Sequence, residues 1–232
     1  MNNYNKERYN PLDNPSQETF IKLEHLGRYL FACDYLKKHA ITKNVLDIGC
    51  GTGYGCYLLS KQIKNVVGID KNIEEVDNQY KKDNITFIKE DIDKIDLTPT
   101  YQAIICFETL EHVNNPNRLL KQISKSLTSK GLFLLSVPNE KYEKLDENGN
   151  NLDIYHKTIF KLDDLLDQLK NDFKIIDVFG QSKINEIINK NPNLNLNIHS
   201  QEEVIEKTYH LAYPNKEKIE DTYSYIIVCQ KK

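Results

Sequence analysis

The sequence predicts an α/β fold in which a doubly wound, mostly parallel sheet carries helices on both faces. Three observations predict it. An apolar run, Val45-Leu46-Asp47-Ile48, ends in alternating glycines, Gly49-Cys50-Gly51-Thr52-Gly53, the pattern of a buried strand that turns sharply while its backbone approaches a ligand. Six further apolar runs follow, at residues 66–70, 86–88, 103–107, 132–137, 173–179 and 225–229, and helical segments separate the earlier ones. Finally, 232 residues with 39% hydrophobic and 28% charged content suit one α/β domain with additions, large enough to bury its own core.

Taken in order, residues 1 to about 15 are polar, and Phe20, Leu23, Leu26, Leu30, Phe31 and Leu36 then recur at helical spacing. One or two helices therefore precede the first strand, so that residues 1–40 form a helical extension or lid and 41–232 the main domain. The strand at 45–48 feeds a helix starting at about Tyr54, whose first N–H groups face a ligand. The next run ends in Asp70, placed to accept both hydrogen bonds of a ribose diol, a device that NAD-binding folds also use. A third run leads into Lys89-Glu90-Asp91-Ile92, and the fourth into Glu108-Thr109-Leu110-Glu111-His112. Ligands in open α/β sheets bind at the carboxyl ends of strands, so these residues should face one. The fifth run closes at Pro138, and His156 follows it. A segment at about 181–222 is too long for a hairpin and contains amphipathic pieces at 184–188 and 204–209. It reads as a helical insertion that caps the acceptor side or joins two copies as a homodimer, with a roleless surface excursion as the alternative.

The glycine loop resembles the cofactor loop of class I S-adenosylmethionine-dependent methyltransferases. A nicotinamide loop prefers G-x-G-x-x-G, and here the third small position holds Tyr54 or Cys56 instead. The resemblance covers roughly residues 40 to 180. It implies a seven-stranded, Rossmann-like sheet whose last strand runs antiparallel between two earlier ones. It also implies S-adenosylmethionine as cofactor, held by Asp47, Gly49, Gly51, Gly53 and Asp70, with Asp91 meeting the adenine amino group and Ile92 packing on the ring. The stretch Glu24-His25-Leu26-Gly27-Arg28-Tyr29 resembles a helix found before this domain in bacterial relatives, where an arginine or tyrosine reaches the cofactor carboxylate. Arg28 has the chemistry for that contact, and helix geometry lets only one of Arg28 and Tyr29 make it.

Glu108, Glu111 and His112 stand at i, i+3 and i+4, so one helical turn would set them on one face. Two carboxylates and an imidazole can hold a divalent cation. The string resembles ubiquinone-pathway O-methyltransferases and small-RNA 3′-end 2′-O-methyltransferases, in which these positions bind metal, and His156 then stands as the fourth ligand. By this resemblance Mg²⁺ would sit among Glu108, Glu111, His112 and His156. Many small-molecule relatives carry a similar segment without metal, the histidine lying along the cofactor and the glutamate capping the next helix. For catalysis, His112 and His156, together with Glu111, are the candidates to accept a proton from a hydroxyl, since an imidazole titrates near physiological pH. Tyr155 is a candidate orienting donor.

The expected partner is a small-molecule acceptor, a sugar or a phenol-like compound, methylated on oxygen; the alternatives are a metal-dependent RNA 2′-O-methyltransferase and a non-catalytic protein that binds S-adenosylmethionine or scaffolds a partner. A net charge of −3 and scattered lysines do not favour a nucleic acid. No stretch approaches the ~20 apolar residues of a membrane span. The N-terminus lacks the apolar core of a signal peptide, so the cytoplasm is the expected location. Five cysteines, an odd number without C-x-x-C pairing, read as reduced thiols.

Overall fold

Apolar runs of strand length have unpaired backbone groups on both edges, and here they satisfy one another in a single sheet. The computed structural model describes residues 19–97, 100–143, 145–147, 151–184, 213–216 and 219–232, with side chains from residue 23 onward. Among these, seven strands pair: β1 (Asn44–Ile48), β2 (Asn65–Asp70), β3 (Ile85–Lys89), β4 (Tyr101–Phe107), β5 (Leu127–Pro138), β6 (Phe173–Gln181) and β7 (Ser224–Lys231). Their order is β3-β2-β1-β4-β5-β7-β6. The first five are parallel, and β7 lies antiparallel between β5 and β6, as the resemblance implied.

Side chains alternate across the sheet, so its two faces bury separate cores. Val45, Ala103, Ile105, Leu134 and Val228 pack under α1 (Thr19–Lys38) and α2 (Tyr54–Ser60). Leu46, Ile104, Phe133, Leu135 and Ile227 pack under α3 (Pro116–Ser126) and α4 (Leu162–Leu169). Each fully enclosed aliphatic side chain contributes about 1.5–3 kcal/mol. The α1 helix is enclosed on most sides, with Leu23, Leu26, Tyr29, Phe31, Ala32 and Leu36 all buried, which explains why it lacks a polar face. The α3 helix starts where Asn115 caps it, accepting from Arg118 N at 3.0 Å, with Pro116 in the first turn.

One connection differs from the expected alternation. Between β2 and β3 the described chain forms only 3₁₀ turns, Ile73–Glu75 and Asn78–Tyr80. Ile73, Val76 and Tyr80 keep a helical spacing, but Asp77 accepts from Gln79 N at 3.0 Å, and such local bonds compete with a helix. Among the described residues one helix, α1, stands where one or two were expected. Residues 1–18 and the 185–212 part of the expected insertion lie outside the described residues. No described helix is long and apolar enough to cross a membrane.

Candidate active site

The β1 strand delivers a carboxylate and three glycines to the carboxyl edge of the sheet. Gly49, Gly51 and Gly53 adopt φ of 75°, 53° and 88°. Gly49 is the most constrained, because a Cβ there would stand 2.3 Å from Thr109 Oγ1. A Cβ on Gly51 would meet nothing within 4 Å, since that position opens on a cavity. Asp70, at the end of β2, supports this loop: Oδ2 accepts from Gly51 N and Oδ1 from Asn72 N, both at 2.9 Å. The loop runs directly into α2 at Tyr54, as expected.

The cavity runs from this loop along the strand ends. Its wall includes Gly49, Gly51, Thr52 and Asp70 after the first two strands, Asp91 and Ile92 after β3, and Glu108, Thr109 and His112 after β4, with Ile154 and Tyr155. The N-terminal helix closes it with His25 and Tyr29. A wall of glycine backbone, carboxylates and the apolar Ile92 suits a ligand that carries a nucleoside. Thr52 Oγ1 is buried without a partner among the described residues, an acceptor and donor left for such a ligand.

Three expected cofactor contacts, Arg28, Asp47 and Gly53, are absent from the cavity wall, and a Cβ on Gly53 would meet Phe87 and Val76. Arg28 is 1% exposed, donates to Gln181 Oε1 at 2.6 Å, and lies 3.9 Å from Glu108. It is absent from the cavity wall, whereas its neighbour Tyr29 lines it. Asp47 is fully buried and accepts from the Tyr29 hydroxyl at 3.0 Å and from Cys56 Sγ at 3.4 Å. Burial pushes its carboxyl up to about 7, against the lowering effect of the Tyr29 and Cys56 hydrogen bonds. Asp47 thus addresses the cavity through Tyr29.

The acidic string does not form one helical face. Glu108 has a φ of 44°, and Leu110–His112 is a 3₁₀ turn. Glu108 is held by Ser136, whose hydroxyl donates to Oε1 at 2.8 Å and accepts from Glu108 N at 3.0 Å. Glu111, His112 and His156 instead converge, each offering a ligand atom within 4.8 Å of the others, and Glu108 stands outside this group. Of the three, His112 lines the cavity, with Glu111 and His156 behind it.

Electrostatics divide the trio. Both oxygens of Glu111 are buried and lack a hydrogen-bond partner among the described residues, and burial pushes its carboxyl well above the usual range, with Glu108 adding to it. Burial lowers His112, outweighing its bond to Tyr155 O at 2.9 Å. Burial alone would lower His156 too, but its hydrogen bond to Glu143 and the charges of Glu111, Glu143 and Asp153 lift it to about 9. At neutral pH His112 is therefore neutral and His156 charged. Tyr155 O at Nδ1 assigns neutral His112 the Nδ1–H tautomer, with Nε2 3.8 Å from Glu111 Oε1, whereas charged His156 carries a proton on each nitrogen, Nδ1 donating to Glu143 and Nε2 standing 3.9 Å from Asp153 Oδ2. An orphaned carboxylate with two imidazole nitrogens fits a small divalent cation.

Sequence reasoning missed His25, Thr52, Thr109 and Glu143. His25 is one of several polar residues on α1 and nothing in its spacing sets it apart; Glu143 reaches His156 across a loop and left no spacing signal.

A family model described as "Methyltransferase domain" matches residues 23–189. The ubiquinone biosynthesis O-methyltransferase of Rickettsia akari is 29% identical over 124 residues, covering 51% of this chain and 49% of that protein. The chain thus spans about half the length of that relative. Among solved structures, an S-adenosylmethionine-dependent methyltransferase from Clostridium acetobutylicum superposes with a TM-score of 0.62 at 14% identity, over 89% of this chain and 91% of that one. The N-methyltransferase NodS of Bradyrhizobium japonicum, solved with S-adenosyl-L-homocysteine, gives 0.59 at 13% identity, over 95% and 94%. At these identities the structures share the fold.

Proposed function

The chain belongs to the methyltransferase domain family, enzymes that use S-adenosylmethionine, and on that premise we propose that it methylates a hydroxyl oxygen of a small molecule. What supports this reading is that His112, held below its ordinary pKa by burial, lines the same cavity as the glycine loop and Asp70. In this reading Gly49 and Gly51 receive the methionine part, Asp70 the ribose, and Asp91 and Ile92 the adenine. Bound there, the sulfonium supplies an electrophilic methyl group and a thioether leaving group. The protein's share is alignment, which can supply much of the barrier reduction in a displacement. His112 Nε2 accepts the acceptor's proton, Tyr155 O orients the ring through Nδ1, and the charges of Glu108 and Asp153 favour the charge it gains. A divalent cation held by Glu111, His112 and His156 would instead lower the pKa of a nearby hydroxyl, with His112 then a ligand and not the base.

The test is transfer of labelled methyl from S-adenosylmethionine to panels of phenols, sugars and amines. Transfer confined to hydroxyl acceptors supports the reading; transfer to amines alone overturns it, and the NodS likeness makes that comparison necessary. His112→Ala should lower kcat by about 10²–10⁴-fold with little change in cofactor affinity. Activity that survives EDTA removes the cation from the scheme.

Hydroxyl methylation of RNA would use the same trio, which is the observation in its favour. The net charge of −3 opposes it. Filter binding at low salt separates the two, because an RNA enzyme must retain labelled RNA there.

A further inference from the structure

Glu143 stands outside every role described so far, on the chain after β5, with its side chain 7% exposed and that of His156 15% exposed. Its Oε1 accepts from His156 Nδ1 at 2.7 Å, and its Oε2 accepts from Asn151 Nδ2 at 2.8 Å. Both oxygens are thus fixed. Asn151 Oδ1 in turn accepts from Asp153 N at 2.9 Å, and Asp153 O accepts from His156 N at 3.2 Å. The same stretch closes on the 3₁₀ turn: Lys157 N donates to Glu111 O at 2.8 Å, and Tyr155 O accepts from His112 Nδ1.

We propose that Glu143 is the positioning residue that presents His156 Nε2 to Glu111 and His112, so that the group completing the cluster from outside is Glu143 and not Glu108. A histidine ligand is oriented by whatever accepts from its other ring nitrogen, and such partners govern affinity for an ion. Glu108 cannot serve, being committed to Ser136 and facing Arg28. Glu143 is a carboxylate at short range on the right nitrogen.

This rests on the reading of the trio as a cation site, and the experiment separates the two. Ring ¹⁵N spectra of ion-free protein report the His156 Nδ1 proton, and Mn²⁺ titration followed by electron paramagnetic resonance reports the site. Glu143→Ala should abolish the hydrogen-bonded Nδ1 signal and weaken Mn²⁺ binding about 10–100-fold. Glu143→Gln keeps an accepting oxygen and should lose less on both readouts, with the fold of each variant checked by S-adenosylhomocysteine binding. A ring signal and Mn²⁺ affinity that are unchanged in both variants overturn the positioning role while leaving the cation site. Wild-type protein that takes up no Mn²⁺, yet whose ring signal depends on Glu143, sinks the cation reading and leaves the positioning role standing.

Discussion

At the scale of single residues, the glycine loop separates structural need from ligand need. Gly49→Ala would drive a Cβ to 2.3 Å from Thr109 Oγ1 at a φ of 75°. It should cost about 1–3 kcal/mol in a urea melt, together with cofactor affinity. Gly51→Ala has open space around it and should cost only about 1 kcal/mol for its φ. Its methyl group enters the cavity, so calorimetry with S-adenosylhomocysteine should show about a tenfold or greater loss. Equal effects of the two variants on both measurements would contradict this assignment. Asp47 gives a pH prediction. Its folded pKa, raised to about 7, lies above the ordinary aspartate value of 3.8, so the native state binds the extra proton. The stability it contributes is full below the unfolded pKa and is lost as pH rises through about 7. Asp47→Asn keeps an oxygen for the Tyr29 hydroxyl and should flatten the fall in melting temperature between pH 4 and pH 7, a window set by those two values. A melting curve as steep as the wild type's would exclude Asp47 as its source.

Among elements, α1 is tied to the far edge of the sheet by buried polar groups. Arg28 bonds Gln181, Gln181 Nε2 donates to Glu24 O at 2.8 Å, and Ile184 N donates to Glu24 Oε1 at 2.9 Å. Removing one charge strands the others, so Arg28→Leu should cost about 3–5 kcal/mol in denaturant unfolding. Cofactor affinity in the folded fraction should change little, because Arg28 does not line the cavity. These elements also mark how far the sequence could be read. All seven strands were legible, because β-branched and apolar runs bounded by turn residues leave few alternatives. The expected run at 132–137 is longer in the structure, since Leu127 also pairs with Tyr101 across β4, a partnership that no local pattern announces. Glu108 left the predicted cluster for a similar reason. Spacing of i, i+3 and i+4 implies a shared face only in an α-helix, and here one residue has positive φ and the rest form a 3₁₀ turn. Glu143 was invisible because its contact is made by loop closure.

For the molecule as a whole, β7 is the piece on which the right half of the sheet depends. It pairs with β5 from Leu132↔Gln230 to Pro138↔Ser224 and with β6 from Phe173↔Lys231 to Gln181↔Ser224. Deleting residues 224–231 would leave two apolar strand edges facing each other across a gap. Such a variant should show no cooperative unfolding transition by circular dichroism; a sharp transition would mean that the first five strands fold alone. The placement of β7 also bears on synthesis. As the chain leaves the ribosome, β1 to β5 can assemble in order, each new parallel strand finding its neighbour already in place. The β6 strand emerges with no partner until the far later β7 arrives between it and β5. Translation at ~5–20 residues per second holds that sticky edge open for seconds, an interval in which a holdase chaperone has something to grip.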